Sequence, residues 1–240
     1  MLLSETHQRV FFLDIETVPA HPSFEQLDEE WQALWLAKAV HDPAVKSGAI
    51  PLSEAYCRAG IYAEFGKIIC IGMGYLCEEN KQVHARLKTL ASQDEKQLLS
   101  DFSDLLAQLS PATRLCAHNG KEFDFPYLCR RMILQGLPLP PLLDMRGKKP
   151  WENPHLDTLE LWKFGDSKNF ASLKLMAKMF GLPSPKNSMD GSEVFSTYYR
   201  DKDLNRIAAY CSGDVLTLMN VYLRLHLLPA LQPQQVVSAE

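Results

Sequence analysis

Nine residues near the N-terminus, Val10 to Val18, run Val-Phe-Phe-Leu-Asp-Ile-Glu-Thr-Val. So apolar a stretch, rich in β-branched and aromatic residues, predicts a central β-strand. Side chains alternate across a strand, so its two acids, Asp14 and Glu16, share one face. Lys67 to Leu76 predicts a second buried strand. Gln82 to Leu87, shorter and more polar, predicts a third at a sheet edge, with Glu78-Glu79-Asn80-Lys81 as the hairpin turn. Asp94 to Leu109 carries Leu98, Phe102, Leu105, Leu106 and Leu109 at helical spacing and stops before Pro111. Arg114 to His118 predicts a fourth strand, and Asp124 to Gly136 a helix with Pro126 in its first turn. Leu156 to Leu161 fits a fifth strand or a strand-to-helix turn. Ser172 to Phe180 predicts a helix closed by Gly181 and Pro183, and Leu204 to Leu228 a long helix closed by Pro229.

This order predicts an α/β fold. About five strands form a mixed sheet, a three-strand antiparallel meander plus parallel strands, with helices packed on its faces. The least regular segment, Pro19 to Phe65, reads as a helical insertion at about residues 20–66. It contains a predicted helix, Phe24 to Val40, with Trp31 and Trp35 four residues apart, then a turn-rich stretch through Pro43, Gly48, Pro51 and Gly60. At that spacing the tryptophans suit the helix's core face, with base stacking as the alternative. The 240 residues fit one domain, 1–240, with an ample core. The polar tail Gln232-Pro233-Gln234-Gln235 is expected to fray.

Composition narrows the function classes. Hydrophobic residues are 46% and charged residues 22%, as in ordinary globular proteins. The net charge of -4 argues against a protein that coats nucleic acid by charge alone. It leaves room for acids neutralised locally by cations. Among the six cysteines there is no C-x-x-C pair and no zinc-like Cys/His spacing. Cys70 and Cys116 lie in apolar runs and read as small core residues. A reducing, cytoplasmic setting is expected. Met1 to Arg9 has no apolar signal core, and no stretch approaches the roughly 18 apolar residues of a membrane helix, so no membrane partner is expected.

The candidate chemistry lies in three separated motifs. Asp14 and Glu16 would be costly to bury unpaired on so apolar a strand. Asp124 follows Phe123 and His118-Asn119-Gly120 at a strand–loop–helix junction, where helix capping is the simpler role. Phe123 could pack on a base or sugar, or into the core. Tyr210 and Asp214 share one helical face at i, i+4, among the small residues Ala208, Ala209, Cys211 and Gly213. Asp is a poor helix-interior residue and needs a reason there. If the motifs meet, four carboxylates cannot stay ionised together without cations. Their convergence predicts two divalent metal ions and metal-dependent phosphoryl chemistry.

With the three motifs in this order, the chain resembles the DEDD superfamily of 3′–5′ exonucleases on an RNase H-like fold, in its tyrosine-bearing branch. It looks most similar to stand-alone proteins related to the proofreading exonuclease domain of B-family DNA polymerases. Phe12-Leu13-Asp14-Ile15-Glu16-Thr17 matches the first motif, Asn119 to Tyr127 the second, and Tyr210-Cys211-Ser212-Gly213-Asp214-Val215 the third. The resemblance also runs through His155 to Thr158 and Pro185-Lys186 with Asp190-Gly191, and covers roughly Phe11 to Arg224. The resemblance implies that Asp14, Glu16, Asp124 and Asp214 hold two Mg²⁺ or Mn²⁺ ions, about 3.5–4 Å apart in such sites. It implies that Tyr210 orients the attacking water. A phenol, with its ordinary pKa near about 10, is a poor base at neutral pH. Asn119, Phe123, Thr17 and Lys186 are the candidate substrate contacts, Lys186 with a solvated-surface reading beside it. The implied substrate is single-stranded nucleic acid, DNA ahead of RNA, and the implied product a nucleoside 5′-monophosphate. The exonuclease unit fills the chain, so proofreading would need a separate polymerase or repair partner. The alternatives are an RNA 3′ exonuclease and a catalytically silent nucleic-acid-binding module. His118 reads as structural, and Asp157 as structural or as a fifth site acid. Arg130-Arg131 and Arg146-Gly147-Lys148-Lys149 read as solvated faces or phosphate contacts.

Overall fold

A computed structural model describes residues 3–183 and 189–238. After a short helix α1 (Glu5–Gln8), β1 (Val10–Pro19) runs antiparallel to β2 (Gly66–Glu79), which pairs antiparallel with β3 (Gln82–Ala91). Between β1 and β2 lie α2 (Glu29–Ala39), α3 (Pro43–Lys46) and a 3₁₀ helix over Leu52–Ile61. Beyond β3 come α4 (Glu95–Ala107), β4 (Arg114–Ala117), α5 (Asp124–Leu134), β5 (Leu156–Asp157), α6 (Thr158–Lys163) and α7 (Leu173–Met179). The chain closes with α8 (Val194–Ser196), a π turn at Thr197–Asp201, α9 (Leu204–Leu225) and β6 (Val236–Ser238). The sheet order is β5-β4-β1-β2-β3-β6, with β4, β5 and β6 joining in parallel.

Strand alternation in β1 divides the core between the sheet's two faces. Phe11, Leu13 and Ile15 pack with Leu98 and Phe102 of α4 and with Phe125, Leu128 and Met132 of α5. Phe12 points the other way, onto Leu218, Met219 and Tyr222 of α9. The expected meander, parallel additions and two-sided helical cover are therefore present, with six strands rather than about five. The extra strand, Val236–Ser238, follows directly on the Gln232–Gln235 stretch expected to fray, of which Pro233–Gln235 forms a 3₁₀ turn. Gln235 Nε2 donates to the Val83 carbonyl at 2.6 Å, and Val236–Ser238 then pairs with β3, covering the edge expected to be open. Leu156–Leu161 is both things its pattern allowed, a two-residue strand that turns directly into α6.

The insertion is helical as expected, but its helical turns are distributed differently, with a 3₁₀ helix in the stretch read as turn-rich and a shorter main helix. Its helix starts at Glu29, because the Asp28 carboxylate accepts the Trp31 N–H at 2.8 Å and caps it there. Trp35 is buried against Tyr56 and Phe65 in a small separate core, while Trp31 is half-exposed, edge-on to Phe65. The 3₁₀ helix lies directly on β1, where a Cβ at Gly60 would come within 2.8 Å of the Val18 backbone. Arg131 is not a phosphate ligand here. Its guanidinium forks onto buried Glu95 at 2.8 and 2.6 Å, and Glu95 also accepts the Ile68 N–H at 2.8 Å. Among the described residues, no helix is long and apolar enough to cross a membrane.

Candidate active site

The two β1 acids continue the face that Phe12 begins, towards α9. Glycine is what lets α9 reach them. Gly72 is the β2 partner of Asp14, and a Cβ there would meet Cys211 Sγ at 2.8 Å and Val215 Cγ2 at 2.9 Å. With no side chain in the way, α9 settles onto the strand pair. The Cys211 thiol then donates to the Asp14 carbonyl at 3.5 Å and to its carboxylate at 3.7 Å. Ligand atoms of Asp14, Glu16 and Cys211 all lie within 4.8 Å of one another. One residue on, the β1–β2 register shifts between Glu16 and Thr17, which bends the strand just past the pair.

Asp124 arrives from the opposite strand neighbour. β4 pairs with β1 only as far as Phe12, which leaves the Ile15 N–H without a strand partner on that side. Asp124 Oδ1 accepts that N–H at 3.2 Å. The carboxylate thus bonds to β1 across 109 residues of chain instead of capping its own helix. The turn that delivers it is held by Asp157. This buried carboxylate accepts the N–H groups of Asn119 at 2.9 Å, Lys121 at 3.1 Å and Leu159 at 2.9 Å. Asn119 takes a left-handed φ of 62°, and at Gly120 a side chain would overlap the Cβ of Ala117. Of the two roles open to Asp157, the geometry matches the structural one. His118 matches its structural reading. Its Nε2 donates to the Ala171 carbonyl at 2.9 Å, its Nδ1 accepts from the Thr158 hydroxyl at 2.9 Å, and burial lowers its pKa towards the neutral ring.

Electrostatics show that the acids converge. Burial raises the Asp14 pKa, and the charges of Glu16, Asp124 and Asp214 raise it further. Glu16 is raised by burial, then by Asp214 and Asp124. Burial lifts Asp124 to about 7, against the pull of the N–H groups it accepts. Asp214 is raised by burial, and the Tyr210 hydroxyl that donates to it works the other way. Tyr210 is pushed up by burial and then by Asp214 and Glu16, so its phenol keeps its proton. Such a set cannot be fully ionised at neutral pH on its own. Carboxylate oxygens suit a hard divalent cation, and among the described residues the closely grouped ligand atoms are those of Asp14 and Glu16, with the Cys211 thiol beside them.

Beside Tyr210 and Asp214 a cavity of about 680 Å³ opens between α7 and α9, bordered by Lys174, Leu175, Lys178 and Asp190. The other sequence candidates are more peripheral. Phe123 lies half-buried against the Tyr127 ring at 5.4 Å, at the edge of the core. Thr17 is half-buried and bonds to the Tyr127 side chain. Asn119 is fixed through its backbone, and Lys186 falls outside the described residues. Gly72, Cys211 and the anchoring function of Asp157 were not legible as site features. A glycine within an apolar strand was the available signal for the first.

A carboxylate pair on the central strand, an Asp at a helix start and a Tyr/Asp pair on the last long helix sit together on a mixed sheet covered on both faces. These features define an RNase H-like fold of the DEDD exonuclease class. The chain belongs to the family described as predicted 3′–5′ exonucleases related to the exonuclease domain of PolB, whose model matches residues 61–237, more than half of the sequence. Asp124, Tyr210 and Asp214 lie inside the match, and Asp14 and Glu16 precede it. Among solved structures, the family B DNA polymerase from the hyperthermophilic archaeon Pyrobaculum calidifontis aligns with a TM-score of 0.54 at 15% identity, over 91% of this chain and 24% of that one. The likeness is one of fold, and the chain spans about a quarter of that polymerase's length. The RNase domain of the yeast Pop2 protein aligns with a TM-score of 0.43 at 12% identity, over 91% of this chain and 77% of that one. No curated protein matches the sequence.

Proposed function

We propose that this protein is a metal-dependent 3′–5′ exonuclease that releases nucleoside 5′-monophosphates from single-stranded DNA. The observation that carries the reading is that Asp14 and Glu16, already raised by burial, are raised further by the charges of Asp124 and Asp214, beside a protonated Tyr210. Asp14, Glu16, Asp124 and Asp214 would hold two Mg²⁺ or Mn²⁺ ions. When bound, these ions supply Lewis-acid activation of water and charge stabilisation at the leaving oxygen. The reaction adds water across the last phosphodiester. The phosphorus–O3′ bond breaks, the water oxygen stays on the released 5′-phosphate, and a proton ends on the new 3′ hydroxyl. Tyr210 donates to Asp214, and its oxygen lone pair is left to accept from the attacking water. Because its pKa is raised, its role is to orient that water rather than to deprotonate it.

The test is a 5′-labelled DNA strand incubated with Mn²⁺, with a matched RNA strand and an Asp14→Ala control alongside. Stepwise shortening from the 3′ end, lost in the control, is expected. Full activity in Asp14→Ala would overturn the site. Shortening of RNA but not DNA would replace the substrate. Inert wild-type protein that still binds strands would make it a silent module.

A further inference from the structure

The segment from the end of α6 through α7 is rich in lysine. Between Lys163 and Lys178 it carries Lys163, Lys168, Lys174 and Lys178 against one acid, Asp166, in a protein of net charge -4. Among the described residues, only Lys174 of the four lysines is in an ion pair, a loose one with Asp190 at 3.9 Å. Two large aromatics stand out in the same stretch. Phe164 is 88% exposed and Phe170 is 69% exposed. Phe164 also adopts a left-handed backbone, φ 46°, at the end of α6, a conformation that a side chain disfavours. Lys163 Nζ lies 4.3 Å from the centre of the Phe170 ring. Leu175 and Met179 add exposed apolar surface on α7. Ordinary surface economy does not place two bare phenyl rings between lysines.

This segment leads to the candidate site. Two residues after Phe170 the chain enters the wall of the 680 Å³ cavity, which Lys174 and Lys178 line together with Tyr210 and Asp214. The segment is also held in place from below, since His118 of the motif-two turn donates to the carbonyl of Ala171.

We infer that the Lys163–Lys178 segment is a track for single-stranded nucleic acid, on which Phe164 and Phe170 stack bases upstream of the 3′ end while Lys174 and Lys178 hold phosphates entering the cavity. The proposal rests on the exonuclease reading for the identity of the strand. Its chemistry stands on the surface itself. Exposed aromatic rings interleaved with cations form the platform that binds single strands without reading their sequence. Basic charge concentrated on one segment of an acidic protein complements a polyanion. A folded or apolar protein partner would leave four lysines without a purpose.

The test uses the whole protein with two substrates and one binding probe. The p-nitrophenyl ester of thymidine 5′-monophosphate presents the scissile diester with no upstream bases. A ten-thymidine strand presents both, and a ten-uridine strand shows which sugar is preferred. For Phe164→Ala/Phe170→Ala, the ratio of kcat/KM on the preferred strand to that on the ester is expected to fall at least about 30-fold, one stacked base lost per ring. For Lys174→Glu/Lys178→Glu, the slope of log Kd against log salt, measured by fluorescence anisotropy with Ca²⁺ replacing Mn²⁺, should shrink by about 1.4 or more. Ratios and slopes within error of wild type, in variants that melt normally, would overturn the track while leaving the exonuclease reading intact. Wild-type protein inert on ester and strands alike would sink the exonuclease reading. Anisotropy would then still decide the track, by whether the aromatic pair weakens strand binding.

Discussion

Replacing Asp157 separates a structural acid from a metal ligand. Its carboxylate is 2% exposed and accepts three N–H groups, with Oδ1 shared between Asn119 and Leu159 and Oδ2 taken by Lys121. Asp157→Asn keeps one carbonyl oxygen for the first two donors and turns an amide towards the third. One buried donor loses its partner, which costs about 1–3 kcal/mol. Asp157→Ala strands all three, and allowing for partial relaxation the cost is about 3–6 kcal/mol. For a chain of this size each kcal/mol lowers the Tm by about 2–4 °C. Asp157→Asn should therefore melt about 2–12 °C lower. Its Mn²⁺ stoichiometry by calorimetry should stay unchanged, because the four site acids remain. The alanine variant should lose both, since the turn carrying Asn119, Gly120 and Asp124 is no longer anchored. If Asp157→Asn melted like wild type but bound one fewer Mn²⁺, Asp157 would be a ligand and the anchoring argument would be wrong.

Other predictions follow from the same contacts. In Gly72→Ala the new methyl must displace Cys211 or Val215, and overpacking at this contact should cost about 1–3 kcal/mol and weaken Mn²⁺ binding; unchanged urea unfolding would contradict it. Asp124→Asn keeps an acceptor for the Ile15 N–H while removing a buried charge. The folded carboxyl titrates at about 7, far above the ordinary carboxylate, so ionising it opposes folding increasingly as pH rises from about 4 to about 7. Metal-free Asp124→Asn should therefore melt above the metal-free wild type at pH 8 and lose that advantage near pH 4, and a lower Tm at pH 8 would refute the sign. Protons compete with cations for these raised acids, so Mn²⁺-induced stabilisation should grow from pH 5 to pH 8, as thermal melts with and without metal would show. Tyr210→Phe removes the hydroxyl that bonds Asp214, and it should cut kcat more than it weakens Mn²⁺ binding. An equal loss in both would make Tyr210 a brace for the metal site instead.

What was legible in the chain was whatever a local period expresses. The two-residue period of a strand put Asp14 and Glu16 on one face, and the helical period put Tyr210 beside Asp214. Three motifs in order were enough to expect that these faces meet. The means of meeting were not legible, because each is a contact between distant residues with no periodic trace. Gly72 is one of several glycines in an apolar run, and only the seating of α9 makes it the residue that admits Cys211 to Asp14. Capping suited Asp124 because it begins a helix. The vacant Ile15 N–H that claims it exists only because β4 stops pairing after Phe12. Polar composition suggested that Gln232–Gln235 frays, yet Gln235 bonds to the Val83 carbonyl and the unpaired backbone edge of β3 takes up Val236–Ser238 just beyond it. The same logic governs the α6–α7 segment. Its lysines were scattered among other charges in the sequence. They become a coherent surface only where Phe164 and Phe170 stand bare beside a cavity that reaches Tyr210 and Asp214. A net acidic chain can thus hold a buried carboxylate cluster and, apart from it, a lysine-rich surface, and the total charge says little about either.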